Sequence, residues 1–302
     1  MLVTIVTYNP DVNFVSNMIK TIREKDNRCK ILVVDNHSRL LLQRVKEIAD
    51  YFIEFNKNYG LGKAYNYAIR FAKELEEEYI MFLDQDTTIL RNFAPNKVIH
   101  EAKELKKNSV EPVILSVNID NALIERKIPN SNFYIAKEIP NSGMILNVNY
   151  AIKNPFLEEL FLDRLDNEYS YRAKKLGYLP LSYNERMILH KPGECSKFYS
   201  TLCGKLLMII LLILHRNEKN IEKYKQYFYY SNFLRYYLML RNDIYLWLRR
   251  KIYPSFWKMI ISDLIIICEV LGYKNGIRWV LRAIKYGVIG DLEKDNKELF
   301  KI

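Results

Sequence analysis

Apolar blocks alternate with polar ones along the first 90 positions, and the spacing of the apolar residues changes from block to block. Four short runs are almost wholly apolar and predict buried strands at residues 2–8, 30–35, 51–55 and 79–83. Three segments between them repeat apolar residues at helical spacing, at residues 11–25, 40–50 and 61–75. This alternation predicts an α/β fold with a mostly parallel sheet sandwiched by helices.

The rest of the chain changes character twice. Shorter strands are predicted from about residue 110 to 146, a helix in the second half of residues 154–178, and a further strand at residues 178–188. Beyond about residue 196 the sequence is aromatic, basic and mainly helical in pattern. We therefore expect an α/β domain at residues 1–195 and a basic, mainly helical region at residues 196–302.

The net charge is concentrated in that last region. Residues 1–195 hold 27 basic and 26 acidic side chains, whereas residues 196–302 hold 19 basic and 9 acidic ones. A chain that is 49% hydrophobic folds into a globule, and its basic region suits nucleic acid, an anionic membrane or a phosphate-bearing ligand. The four cysteines are scattered without a C-x-x-C pair and are expected to be reduced.

Polar residues follow each of the first four predicted strands. They are Thr7 and Asn9, then Asp35, then the segment NKNYGLGKAYN at residues 56–66, and finally Asp84-Gln85-Asp86. Ligands of parallel sheets bind beyond the carboxyl ends of the strands. The four strand ends therefore predict a single site at one edge of the sheet.

The pair Asp84 and Asp86 predicts a metal site, because it places two carboxylates one residue apart directly after an apolar strand. Mg²⁺ or Mn²⁺ usually takes one or two protein carboxylates, and phosphate groups and water complete its coordination. Such an ion neutralises the charge that develops on a departing diphosphate. The reaction indicated is cleavage of a bond to a nucleoside diphosphate.

Seven segments of the chain together resemble one known family. They are VTYNP, ILVVDNHS, NKNYGLGKAYNYAI, YIMFLDQDT, NSGMIL, ELFLDRLDNEYSYRAKKLGY and LRYYLMLRN. In order and spacing they are similar to the inverting family 2 glycosyltransferases with the GT-A fold, particularly the bacterial rhamnosyltransferases. The resemblance covers roughly residues 3–194, with a weaker echo at residues 235–242.

The resemblance implies a role for individual residues in these segments. Donor contacts are implied for Thr7, Asn9, Asp35, Asn58, Gly60, Lys63, Asn66, Asp84, Gln85 and Asp86. The metal ligands would be Asp86, Asp84 and His190, and Asp166 would be the catalytic base, with Asp163 as its main rival. Acceptor contacts are implied for Asp163, Arg241 and Asn242. One base without a separate nucleophile implies single displacement with inversion.

The resemblance also implies the substrates and the place of action. The favoured donor is dTDP-L-rhamnose, with UDP- and GDP-sugars left open, and the acceptor would be a polyprenyl-diphosphate-linked glycan of a surface polysaccharide such as O-antigen or capsule. The start of the chain has no basic leader, and the apolar runs at residues 206–214 and 259–267 are too short to span a bilayer. We expect a cytoplasmic protein held peripherally on the anionic inner face of the plasma membrane, with Trp247 or Trp257 at headgroup level. The same helices could instead pack on the catalytic domain or form a homodimer.

Two other functions are consistent with parts of the sequence. DQDTT fits a haloacid dehalogenase-type phosphatase with Asp84 as nucleophile, and GDLEKD at residues 290–295 fits its later acidic motif. That signature, however, usually follows the first strand of its sheet, and here three strand–helix units precede it. Basic and aromatic residues interleave at residues 223–251 as in nucleic-acid-binding proteins, but this function leaves the acidic strand ends without a role, so we expect no nucleic-acid partner.

Overall fold

A computed structural model describes residues 1–105, 110–190, 195–197, 228–230, 233–250, 263–264, 266–268 and 270–301. The chain divides into two compact units. The sheet unit comprises Met1–Phe161 and Leu165–Lys191, and the helical unit comprises Leu162–Arg164 and Pro192–Lys301. The main division thus lies near the predicted residue 195, but three residues from the middle of the chain belong to the helical unit.

The sheet unit contains eleven strands and six α-helices among its described residues. The strands are β1 (Leu2–Thr7), β2 (Lys30–Asp35), β3 (Tyr51–Glu54), β4 (Tyr79–Asp84), β5 (Thr87–Ile89), β6 (Ile114–Ser116), β7 (Leu123–Lys127), β8 (Phe133–Glu138), β9 (Met144–Asn147), β10 (Leu181–Tyr183) and β11 (Ile188–His190). The helices are α1 (Val12–Lys25), α2 (Gln43–Ile48), α3 (Leu61–Glu74), α4 (Pro95–Glu104), α5 (Val148–Lys153) and α6 (Leu165–Lys175).

Nine strands form one mixed sheet in the order β3-β2-β1-β4-β9-β6-β10-β8-β7. The first four strands of this order are parallel, as predicted, whereas β9 runs antiparallel between β4 and β6. The α/β fold class is therefore confirmed, but the sheet is mixed rather than mostly parallel. The strand predicted at residues 178–188 was wrong, because the polar Asn184–Arg186 turn divides it into β10 and β11. The two halves pair in different sheets.

The buried strands are covered by helices because their side chains alternate between the two faces of the sheet. In β4, Met81 and Leu83 belong to a core cluster with residues of α1 and α4. Phe82 points to the other face, where its ring lies 4.2 Å from the ring of Tyr65 in α3. Helix α1 begins where the sequence predicts, because the Asp11 carboxylate accepts hydrogen bonds from two backbone N–H groups of the first turn.

Among its described residues, the helical unit has helical segments at residues 263–264, 266–268 and 270–271, and also two short strands and three α-helices with defined bounds. They are β12 (Cys195–Lys197), β13 (Phe228–Tyr230), α7 (Phe233–Tyr245), α8 (Tyr273–Ile289) and α9 (Leu292–Phe300), with a π-helical turn at Leu246–Arg250 after α7. Over the described part of the chain, none of the helices has the length and apolar character needed to cross a membrane. The predicted apolar run at residues 206–214, most of the run at 259–267 and Trp257 lie outside the described residues.

Candidate active site at the carboxyl edge of the sheet

The parallel register brings the polar strand ends together. Thr7 of β1 is paired with Asp35 of β2, and Val6 of β1 is paired with Asp84 of β4. The hydroxyl of Thr7 donates a hydrogen bond of 2.8 Å to Asp35. The side chain of Gln85 accepts a bond from Tyr8 N (2.7 Å) and donates one to Tyr8 O (3.2 Å). The ends of β1, β2 and β4 are thus tied to one another, as the sequence predicts.

Asp35 organises the loop that follows β2. Its carboxylate accepts hydrogen bonds from the backbone N–H and the hydroxyl of Ser38, at 2.8 and 2.5 Å. Ser38 in turn accepts a bond from Asn9 N, and the Asn9 side chain accepts one from Arg39 N. Asp35 is buried, so most of its hydrogen-bonding capacity serves the loop itself. The predicted donor contacts of Thr7, Asn9 and Asp35 stay predictions. The sequence did not predict that Ser38 joins Asn9 to Asp35 by hydrogen bonds.

The segment after β3 forms a tight turn into α3. Asn58 accepts a hydrogen bond from Gly60 N, and Gly60 has a φ of 83°. A Cβ at Gly60 would lie 2.7 Å from both a ring carbon and the backbone oxygen of Phe161, so this position requires glycine. Lys63, in the first turn of α3, holds its ammonium 4.0 Å from the ring centroid of Tyr59. This loop therefore presents a cation at the start of a helix, a combination that suits phosphate groups.

Asn66 has a different role from the predicted donor contact. Its amide group donates to the backbone oxygen of Phe156 at 2.9 Å and accepts from Phe156 N at 2.8 Å. The residue is buried, and its amide also donates to the side chain of Glu158. Because both ends of the amide are used in this way, Asn66 joins α3 to the chain at residues 156–158 rather than facing a ligand.

Asp84, Asp86 and His190 form the only group of three or more potential metal ligands among the residues that the structure describes. One ligand atom from each lies within 4.8 Å of the others. Pairing of β11 with β5 sets His190 opposite Thr87, next to Asp86 in the chain. His190 Nε2 is 3.5 Å from Asp84 Oδ2, and His190 Nδ1 is 3.3 Å from Asp86 Oδ1.

These three residues fit a divalent cation. Two carboxylates and an imidazole are typical protein ligands of Mn²⁺, and the two oxygens also suit Mg²⁺. The side chain of Asp86 is 52% exposed and that of Asp84 30%, which leaves room for ligands that the protein does not supply. Ser142 helps to position the group. Its hydroxyl lies 2.6 Å from the hydroxyl of Thr87 and accepts a hydrogen bond from the backbone N–H of Asp84.

Tyr65 connects the acidic strand end electrostatically with Asp166. Burial raises the pKa of Tyr65 well above its usual range, and the negative charges of Asp84 and Asp166 raise it further. Tyr65 therefore lies within electrostatic reach of both Asp84 and Asp166. The sequence did not indicate a role for Tyr65 near the site, because Tyr65 lies at one of the regularly spaced apolar positions of α3. Such a position predicts a core residue.

Asp166 and its acidic neighbours are placed differently from one another. Asp166 lies in the first turn of α6, half-buried, and accepts a hydrogen bond from Asn167 N at 2.9 Å. Glu168 is buried and paired with Arg172 at 2.8 Å. Asp163, in the helical unit, is paired with Arg235 at 2.6 Å. The role of Asp166 as the general base, with Asp163 as its rival, stays a prediction.

Arg241 and Asn242 do not occupy the predicted acceptor-binding position. Arg241 is fully buried in the helical unit, where its guanidinium donates to Asp295 at 2.6 Å and to Asn296 at 2.7 Å. Asn242 is also fully buried and donates to the backbone oxygens of Leu162 and Asp163. A guanidinium enclosed in this way has no surface for an acceptor diphosphate, so we replace the predicted contact with a structural role.

The later acidic motif of the phosphatase interpretation is also structural. Asp295 is fully buried in the helical unit and accepts hydrogen bonds from Tyr237, Arg241 and Arg282. Its carboxylate is thus neutralised by two guanidinium groups, as a buried charge must be. It is the centre of an ion network rather than a member of the strand-end site.

Known proteins resemble this chain in sequence. The sequence profile described as glycosyl transferase family 2 matches residues 2–159. The chain is 28% identical over 217 residues to dTDP-rhamnosyl transferase RfbF of Shigella flexneri, covering 66% of this chain and 71% of that protein. This family match excludes the phosphatase interpretation, and it agrees with the order of strand-end motifs described above.

A solved structure shows the same fold at low sequence identity. Mannosyltransferase PcManGT from Pyrobaculum calidifontis, in complex with GDP-Man and Mn²⁺, is 13% identical with a TM-score of 0.50, covering 96% of this chain and 86% of that one. TarS of S. aureus is 17% identical with a TM-score of 0.45, covering 97% of this chain. The chain spans only 53% of the length of TarS.

Proposed function

We propose that this chain, which belongs to glycosyl transferase family 2, transfers L-rhamnose from dTDP-L-rhamnose to a glycan acceptor with inversion at the anomeric carbon. The observation that carries the proposal is the group of Asp84, Asp86 and His190 at the carboxyl edge of a family 2 sheet. The similarity to a dTDP-rhamnosyl transferase supports the choice of donor.

In this proposal Asp86, Asp84 and His190 hold Mg²⁺ or Mn²⁺. A bound ion supplies positive charge to the diphosphate that leaves with the nucleoside. Lys63 adds a second cation at the start of α3, where Gly60 lets the backbone approach a phosphate group closely. Thr7, Asn9, Asp35, Asn58 and Gln85 shape the pocket for the nucleoside, and their network of hydrogen bonds keeps that pocket rigid.

Asp166 is the proposed catalytic base. It takes the proton from the acceptor hydroxyl as that oxygen attacks the anomeric carbon, while the bond from this carbon to the diphosphate oxygen breaks. A single displacement of this kind inverts the configuration. Asp166 lies in the first turn of a helix, where the backbone N–H groups stabilise its ionised form before the acceptor binds.

We further propose that the acceptor is a polyprenyl-diphosphate-linked glycan of a surface polysaccharide. Residues 1–195 form the catalytic domain, and residues 196–302 bring the enzyme to the cytoplasmic face of an anionic membrane or contribute to a homodimer. The support for a membrane location is the net charge of +10 in residues 196–302, from 19 basic and 9 acidic side chains.

A donor screen tests the proposed function. Purified chain is incubated with dTDP-L-rhamnose, UDP-glucose or GDP-mannose, each with Mn²⁺, Mg²⁺ or excess chelator, and release of the nucleoside diphosphate is measured. We expect turnover of dTDP-L-rhamnose that depends on the metal and is at least about tenfold faster than with the other donors. Preference for another donor overturns the rhamnose assignment alone, and turnover undiminished by the chelator overturns the metal role.

A further inference from the structure

One side of α8 carries a stripe of exposed apolar side chains that the proposed chemistry does not use. Ile277, Leu281, Ile284 and Val288 follow one another at helical spacing and therefore line up along the helix. Their exposed fractions are 51%, 60%, 39% and 49%. We call these four residues the α8 stripe. A surface helix of a globular protein normally turns polar and charged side chains to solvent, so the stripe indicates a binding surface.

A side of α8 different from the stripe packs against other residues of the helical unit. This packing fixes the direction in which the stripe faces. At Gly287, an added Cβ would lie 2.8 Å from the side chain of Ile244 in α7. At Gly276, it would lie 2.5 Å from Cys268. Val280 and Ala283 lie on this same side and are buried. Because small residues allow the helix to pack closely there, α8 does not turn freely about its axis, and the stripe stays exposed.

A row of basic residues borders the stripe on the side away from the packed face. Lys274, Arg278 and Lys285 are exposed and lie roughly 20–60° around the helix from Leu281, at 100° per residue. The sequence of α8 contains no acidic residue at all. Arg282 lies further round and is held by Asp295 and Glu298 of the helical unit. The outward surface of α8 is therefore apolar along one half and positively charged along the other.

The turn after α7 adds apolar surface at the C-terminal end of α8. Arg249 of this turn donates a hydrogen bond of 2.9 Å to the backbone oxygen of Ile289. Its neighbours Trp247 and Leu248 are exposed, at 42% and 41%. Tryptophan is enriched at the headgroup level of membranes because its ring is apolar and its N–H is polar. The exposed Trp247 therefore suits a lipid interface.

We propose that the α8 stripe docks on the surface of an anionic lipid bilayer, with Lys274, Arg278 and Lys285 at the level of the lipid phosphates. An apolar stripe with a basic border is the arrangement by which amphipathic helices lie in the interface. A second copy of this chain suits the stripe less well, because antiparallel pairing of two α8 helices about a perpendicular two-fold axis brings their basic rows together. The inference deepens the membrane location proposed above and rests on that part of the proposed function, not on the donor.

Vesicle flotation tests the inference with the full chain. The vesicles contain phosphatidylcholine with zero to about 40% phosphatidylglycerol, a range that spans natural anionic surfaces. The test variant combines Ile277→Ser, Leu281→Ser and Val288→Ser. The control combines Leu123→Ser and Leu176→Ser, which change exposed leucines of the sheet unit. We expect the test variant to lose at least about tenfold in partitioning to anionic vesicles, and the control to float as the unaltered chain does.

A second variant tests the basic border. Lys274→Gln combined with Lys285→Gln is expected to lower partitioning to anionic vesicles by about fivefold for each charge removed, with little change on neutral vesicles. Far-ultraviolet circular dichroism establishes that each variant is folded, and Leu281→Ser alone replaces the triple variant if that one unfolds. Donor turnover in the absence of vesicles is expected to stay unchanged in all of them.

Three results would overturn the inference, and they differ in what else they affect. If the unaltered chain does not float, the membrane location itself is wrong. If it floats and the stripe variant floats equally, only the assignment to α8 is wrong. If light scattering shows a dimer that the stripe variant turns into a monomer, the stripe binds a second copy. None of these results changes the assignment of the donor, which the donor screen tests separately.

Discussion

At the scale of single residues, Asp163 and Asp166, the two candidates for the base, differ in the groups that surround their carboxylates. Arg235 donates to both carboxylate oxygens of Asp163, at 2.6 and 3.3 Å. A guanidinium in this position occupies lone pairs that an acceptor hydroxyl would need. Asp166 accepts a hydrogen bond from the neighbouring Asn167 N and lies within electrostatic reach of Tyr65. The pairing of Asp163 with Arg235 is the reason that we propose Asp166 rather than Asp163 as the base.

Replacing Asp166 with asparagine should stop turnover without weakening donor binding. The amide keeps the shape of the carboxylate but does not accept the proton, and loss of a general base costs about 10²–10⁴ in rate. Transfer rates and calorimetric affinity for dTDP are to be measured on Asp166→Asn and, as the rival, on Asp163→Asn. An inactive Asp163→Asn beside an active Asp166→Asn would reverse the assignment.

At the scale of elements, α7 holds a strained piece of chain. Asp163 and Arg164 have φ values of 60° and 66°, in the left-handed region that side chains with a Cβ seldom adopt. Asn242 donates to the backbone oxygens of Leu162 and Asp163, and Arg164 is paired with Asp243 at 2.8 Å. Backbone strain of this kind persists only where surrounding contacts impose it. The motif LRYYLMLRN is thus explained by contacts inside the helical unit.

Asn242→Ala should therefore destabilise the helical unit. It leaves two backbone oxygens without their buried donor, and each unsatisfied group costs about 1–3 kcal/mol. Asn275→Ala in α8 is the matched control, because Asn275 is exposed and its loss is expected to change stability by less than about 0.5 kcal/mol. Urea unfolding gives both values. Equal free energies of unfolding for the two variants would show that Asn242 does not restrain the strained segment.

The sequence predicts the elements that local pattern determines and misses those that depend on distant partners. Strands β1 to β4 and the convergence of Asp35 with Asp84 were predictable, because apolar runs form parallel strands whose ends share one edge. The place of β9 between β4 and β6 could not be predicted, because that pairing joins residues far apart in the chain. The burial of Arg241 depends on Asp295, which is 54 residues away. No local pattern distinguishes such an arginine from one that binds phosphate.

At the scale of the whole molecule, burial keeps several weak acids of the sheet unit neutral. Burial raises the pKa of the Cys29 thiol from 9.0 to about 12, and the charge of Asp26 adds to this effect. Burial likewise raises the pKa values of Tyr79 and Tyr150 from 10.0 to about 12. Cys29 is a free, buried cysteine, as is Cys268, in agreement with the prediction of reduced packing cysteines. In the folded chain these groups therefore stay protonated over a pH range in which they lose their protons in the unfolded chain.

Stability should fall as the pH rises above about 9. A raised pKa in the folded state contributes stability that is complete below the unfolded value and is lost as the pH approaches the folded value, so for Cys29 the window runs from 9.0 to about 12. Within it, one such group lowers the free energy of unfolding by about 1.4 kcal/mol per pH unit. Urea unfolding at several pH values should show a shallower decline for Cys29→Ala than for the unaltered chain. Parallel declines would contradict the burial of the thiol.

The most direct measurement of the central claim is the affinity for dTDP, determined by calorimetry with Mn²⁺ and again with excess chelator. If Asp84, Asp86 and His190 hold the ion that contacts the diphosphate, chelation should weaken dTDP binding at least about tenfold, and Asp86→Ala should show the weak value under both conditions. Asp120→Asn, a change at an exposed ion pair with Arg186, should behave as the unaltered chain does. An affinity for dTDP that is the same with and without metal, and the same in Asp86→Ala, would contradict the account.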